Sequence, residues 1–115
     1  MTSLLSAAFA RRLSAGLIGC VLLAAGSAEA ADAVTIKVEN YTFVPSDIMV
    51  TPGTTVVWVN RDDSPHAIGS TDHVLVSKAM DTDDQYSFTF DKEGDYSYFC
   101  TLHPYMTGVV KVRSP

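Results

Sequence analysis

Cys100, His103 and Met106 stand three residues apart in the run CTLHPYM. Thiolate and thioether are soft donors that select Cu(I), and imidazole also suits Cu(II), so the set fits an ion that moves between those two states. It is a poor zinc set, because zinc sites are built from thiolate, imidazole and carboxylate rather than thioether. A second imidazole must come from elsewhere, and the chain's 3 histidines leave His66 and His73 to supply it. His66 follows the apolar run Val56-Val57-Trp58-Val59 across a turn ending in Ser64-Pro65, which puts it at an end of the strand layers rather than within a sheet. His73 lies in a polar loop beside Asp72 and reads as a solvent-exposed side chain, while Met49 and Met80 read as core or loop filler.

The elements that must carry these residues are strands. Val34, Ile36 and Val38 alternate with Thr35, Lys37 and Glu39, and Tyr86, Phe88 and Phe90 alternate with Ser87 and Thr89. Val110 and Val112 alternate with Lys111 and Arg113. This is the period of a half-buried strand. Val56 to Val59 is apolar throughout, as expected of a strand covered on both faces. Turn residues separate the runs at Pro45-Ser46, Pro52-Gly53, Arg61 to Pro65, Asp81 to Asp84 and Asp91 to Asp95. Short strands between close turns predict one antiparallel β-sandwich. Cys100 shares a strand face with Tyr96 and Tyr98, so its thiol points inward at a strand end.

The first thirty residues differ in composition: Arg11-Arg12, an apolar run from Leu13 to Gly26, and Ala28-Glu29-Ala30 at a small-residue cleavage site. They read as a secretory signal peptide, too short in its apolar part for a membrane span, leaving 31–115 as one domain. Leu17-Ile18-Gly19-Cys20 also resembles a lipobox, which makes lipid anchoring at Cys20 the minor alternative. Removal of the leader leaves Cys100 as the lone thiol, with no intramolecular disulfide open to it. The net charge of −5 speaks against nucleic acid as a partner. Catalytic copper needs an open position and usually further centres, and neither a second ligand cluster nor a hydrolytic nucleophile and base is evident, so an enzyme is not expected.

Pro65-His66 after TTVVWVNRDDS, followed by YSYFCTLHPYM and a final strand, resembles the cupredoxins, the small blue copper proteins, and is most similar to the amicyanins among them. The resemblance implies a single antiparallel Greek-key β-sandwich of cupredoxin type holding one type 1 copper ion. It makes His66, Cys100 and His103 the equatorial ligands and Met106 the long axial one. It further implies a soluble, monomeric, periplasmic one-electron carrier, with copper binding and delivery as the alternative role. The expected redox partners, a c-type cytochrome and a dehydrogenase such as methylamine dehydrogenase, would dock at an apolar patch of Pro65, Leu102, Pro104 and Tyr105 around His103. Asp62 and Asp63 would steer a basic partner, and Tyr96, Tyr98, Val57 and Trp58 would form the apolar body beneath the site. Two positions depart from the amicyanin pattern: Ala67 stands where Asn usually ties the two ligand loops together, and Leu102 replaces a loop proline.

Overall fold

Alternating apolar residues build two sheets whose inner faces meet. The computed structural model describes residues 33–115, so the expected leader lies outside the described residues. The strands are β1 (Ala33–Glu39), β2 (Thr42–Val44), β3 (Asp47–Val50), β4 (Thr54–Asn60), β5 (Ile68–Gly69), β6 (Gln85–Phe90), β7 (Gly94–Cys100) and β8 (Thr107–Val112). They form one sheet in the order β2-β1-β4-β6 and a second in the order β3-β8-β7-β5. No helix among the described residues is long and apolar enough to cross a membrane.

The sandwich is the one the residue pattern predicts, but its pairing is mixed. β1 runs parallel to β4, with Ile36 opposite Trp58, and β3 runs parallel to β8, with Ile48 opposite Val110. The other ladders are antiparallel. The chain leaves β1, passes through β3 in the opposite sheet and returns as β4 beside β1, a crossover that leaves both strands running the same way. Side chains alternate with period two in either kind of ladder, so the sequence pattern carries no information about strand direction.

Ile36 and Val38 of β1, Val56 and Trp58 of β4 and Phe90 of β6 are buried against Tyr98 and Cys100 of β7 and Val110 and Val112 of β8. Trp58 is the centre of this core: its ring lies 5.2 Å from Tyr98 in an edge-on contact and 5.7 Å from Tyr86. Burying a large side chain of this kind stabilises a fold by about 1.5–3 kcal/mol. β4 is covered on both faces only at its end, where Val59 is buried as well as Trp58. Thr55 and Val57 are only half-buried, and on that outer face Thr55 hydrogen-bonds Thr89 across the β4–β6 ladder at 2.7 Å.

The strand directions decide where the chemistry collects. β1 and β4 end where β7 ends and β8 begins. The β1–β2 turn, the segment after Asn60 and the loop from Cys100 to Met106 therefore share one end of the sandwich. The turns at Gly53 and Gly94 lie at the other.

Candidate metal centre

Cys100 closes β7, and the alternation that buries Tyr98 buries it too, with 0% of its surface exposed and its thiol free. The chain then turns tightly. His103 N donates to Cys100 O at 3.2 Å, Met106 N donates to His103 O at 2.9 Å, and Cys100 N donates to Met106 O at 3.1 Å. This closed loop folds His103 back over the thiol and turns Met106 inward, where its side chain is buried.

His66 is placed from the other direction. The Asn60 side chain, fully buried at the end of β4, donates to Ser64 O and Met80 O, both at 2.9 Å, and accepts from Asp62 N at 2.9 Å. One amide thus shapes the whole turn from 60 to 66. His66 and Met80 then exchange two backbone bonds, of 3.2 and 2.7 Å, that fix the histidine as firmly as a strand would.

Three donor atoms meet as a result. His66 Nδ1 and His103 Nδ1 are 3.2 Å apart, and Cys100 Sγ is 3.6 Å from each. A point in the plane of this triangle lies about 2.0 Å from all three, close to the ~2.0–2.3 Å over which imidazole nitrogen and thiolate bind a first-row metal ion. The donor chemistry and the spacing both fit one such ion. His66 is fully buried and His103 partly exposed, so the centre has one protected and one accessible imidazole. His73 is apart from this cluster, exposed in its loop with a positive φ of 61°.

Asp62 sets the tautomer of His66. Its carboxylate Oδ2 lies 2.8 Å from His66 Nε2 and also accepts from Tyr41 N at 2.9 Å, while Oδ1 accepts from Asn40 N at 2.6 Å. Burial pushes the Asp62 pKa up, but the two backbone donors and His66 outweigh it and hold the carboxyl below its ordinary value. An ionised carboxylate can only accept, so in the neutral imidazole Nε2 carries the proton and Nδ1 turns its lone pair toward the space between Cys100 and His103. Asp62 has a structural role as well as a charge: its side chain is 12% exposed and its carboxylate is hydrogen-bonded to His66. Asp63 remains exposed.

The segments that carry His66 and Cys100 are joined through backbone bonds. Ala67 N donates to Cys100 Sγ at 3.4 Å, and Thr101 N donates to Ala67 O at 3.0 Å. The short strand β5 continues this contact, with Ile68 opposite Cys100. Beneath the site Trp58 and Tyr98 form the apolar body as expected, joined by Phe43, 4.8 Å from Tyr98. Val57 does not contribute, since it faces the outer side of β4, and Tyr96 packs on Phe90 toward the far end at 4.9 Å. Burial in this body pushes the Tyr98 hydroxyl up to about 12. Around His103, Pro65, Leu102, Pro104 and Tyr105 are exposed as expected, and Tyr41 joins them at 41% exposure.

The bond from Asp62 to His66, and the presence of Tyr41 at the site, escape a reading of the sequence. Asp62 reaches His66 from within a non-helical turn, where no period links them, and Tyr41 is brought in by a hairpin 21 residues from Asp62.

Comparison with known proteins agrees with this architecture. The cupredoxin-like domain family matches residues 12–112. Amicyanin of Paracoccus versutus is 36% identical over 88 residues, covering 72% of this chain and 67% of the relative. The crystal structure of amicyanin from Paracoccus versutus superposes with a TM-score of 0.67 at 33% identity, covering 74% of this chain and 85% of that one. A Cu(I) form of an amicyanin variant superposes equally well, with a TM-score of 0.67 at 31% identity over 74% of this chain and 86% of that one. With its sandwich and a family match along most of its length, this chain belongs to the cupredoxin-like domain family.

Proposed function

We propose that His66, Cys100 and His103 hold one copper ion, with Met106 as a weak fourth ligand, and that the protein carries single electrons between redox partners in the periplasm. The observation that carries this reading is the triangle of two imidazole nitrogens and one sulfur, with sides of 3.2 and 3.6 Å, held by backbone bonds on both loops. The amicyanin variant solved in a Cu(I) form supports copper as the ion. Bound copper supplies a one-electron couple between Cu(II) and Cu(I).

The chain's own residues do the rest. Cys100 offers its thiolate from a fully buried position, with the Ala67 amide donating to the sulfur. Burial disfavours the more highly charged state of the centre, while Asp62 makes His66 a stronger donor and pulls the other way. Because the loops are braced by hydrogen bonds of their own, little needs to move when the charge of the centre changes. The partly exposed His103 brings the centre to the surface inside an apolar patch, a form suited to the small, short-lived interfaces of redox encounters. A c-type cytochrome and a dehydrogenase are the partner classes that this reading takes from the amicyanin resemblance, and a cleaved leader over 1–30 is the export route.

Voltammetry of the copper-loaded protein, with metal content measured before and after repeated cycling, tests the carrier role. One reversible electron per protein with full retention of copper is expected. Loss of copper to a competing acceptor protein during cycling, without reversible current, would instead mark a delivery protein.

A further inference from the structure

The hairpin joining β1 to β2 is a two-residue turn: Glu39 pairs with Thr42, and Asn40 and Tyr41 lie between them. Both have positive φ, 54° and 57°. Such turns favour Asn followed by Gly, because the second position also needs the left-handed region. Asn enters that region readily, but a bulky aromatic does so only against steric cost. Tyr41 is thus a local outlier, and the hairpin itself gives no reason for it. The side chain is 41% exposed and is not among the residues of the buried core.

Its ring instead meets the two imidazoles of the metal centre. Tyr41 lies edge-on to His66 at 5.2 Å and 82°, and edge-on to His103 at 4.9 Å and 81°. Its position is fixed from behind, since the Asn40 and Tyr41 amides both donate to the carboxylate that also bonds His66 Nε2. One side chain, Asp62, therefore registers the strained turn against the buried imidazole. Among the described residues His103 has no counterpart to Asp62: its ring bonds run through Nδ1, to Cys100 and His66, and its other aromatic neighbours are the His66 ring at 4.9 Å and the 72% exposed Tyr105 at 6.2 Å. On the side of its ring away from Nδ1, the orientation of the accessible imidazole depends on packing, and Tyr41 contributes to that packing at 4.9 Å.

We propose that Tyr41 is a positioning residue of the metal centre: the strained turn holds its ring where it buttresses His66 and His103 together and shields the edge of His103 from water. The inference rests on the ligand assignment above. It is the ring that acts, not the hydroxyl. Backbone strain kept at one position by surrounding tertiary bonds is the pattern expected where geometry serves a site.

Tyr41→Gly separates the two roles, because it creates the favoured Asn-Gly turn while removing the ring. The metal-free variant is expected to unfold in urea at the same or a higher midpoint than the parent. Its His103 ring resonances should broaden or split as the imidazole loses its single orientation. Copper-loaded Tyr41→Gly should release the ion about threefold to tenfold faster, the equilibrium factor of one favourable aromatic contact. Tyr41→Phe should match the parent in all three respects. Unchanged His103 resonances and unchanged copper release in Tyr41→Gly would overturn the proposal, as would Tyr41→Phe behaving like Tyr41→Gly. A lower urea midpoint for Tyr41→Gly would overturn the claim that the turn is strained for the sake of the ring. If the parent protein loaded with Cu(II) lacked a thiolate absorption band, the ligand assignment would fail, and the metal-free His103 resonances would still decide whether Tyr41 orients that ring.

Discussion

The two ends of the sandwich obey different rules. At the far end, the β3–β4 and β6–β7 turns use glycine where the chain takes a positive φ, 94° at Gly53 and 152° at Gly94, while His73, in the loop after β5 and away from both sets of turns, takes 61° without being glycine. At the metal end, Asn40, Tyr41 and Asp83 take positive φ without being glycine, His66 and Asn60 are fully buried, and a carboxylate is drawn into the turn. The far end has only to reverse the chain, so local preference decides its residues. The metal end has to hold three donor atoms within 3.6 Å of one another, and long-range hydrogen bonds override local preference there.

Substitutions can break this contrast. The largest effect is expected from Asp62→Ala, which strips the acceptor from His66 Nε2 and from the Asn40 and Tyr41 amides. Urea unfolding of the metal-free protein should show a loss of about 2–3 kcal/mol, because charged hydrogen bonds vanish and a buried donor is left unpaired. A loss of no more than about 0.5 kcal/mol, typical of a surface position, would mean that the metal end is not braced as described. Gly53→Ala should cost less, about 1–2 kcal/mol, from left-handed strain alone. No described atom outside Pro52–Thr54 lies within 4 Å of the added methyl, so the copper spectrum should be unaffected. A spectrum that moved with Gly53→Ala would show that the two ends are coupled. The smallest effect belongs to Tyr98→Phe, between the ends, where the hydroxyl is buried without a hydrogen-bond partner. Its removal should leave stability within about 0.5 kcal/mol of the parent or raise it, since an unsatisfied group is lost rather than a bond. A clear destabilisation would reveal that the hydroxyl is satisfied after all.

What the residues reveal in advance follows the same division. Alternation made the strands of the core legible, from Ile36 and Val38 to Val110 and Val112, and donor chemistry picked out Cys100, His103 and Met106 within one short loop. His66 was separable from His73 because it follows a buried strand, and the resemblance to cupredoxins supplied the ligand roles. The parallel pairings of β1 with β4 and β3 with β8 stayed hidden, because period two is the same in both directions. β5 is only 2 residues long, too short to show any period. The exposure of Val57 depends on what lies outside the sheet, which its own apolar neighbours do not disclose. Asp62 looked like a surface acid because the bonds that occupy it come from Asn40 and Tyr41, 22 and 21 residues away. Ala67 offers no side-chain tie between the loops, as its residue type shows, while the backbone bonds it makes to Cys100 and Thr101 need no side chain and are silent in the sequence.

The central claim is that the buried thiolate of Cys100 and the two imidazoles form a single copper site. Absorption spectroscopy of the Cu(II)-loaded protein beside its Cys100→Ser variant tests it most directly. An intense band toward the red end of the spectrum, at one copper per protein and absent from Cys100→Ser, is the predicted result; a parent protein without that band, or a variant that retains it, would contradict the account.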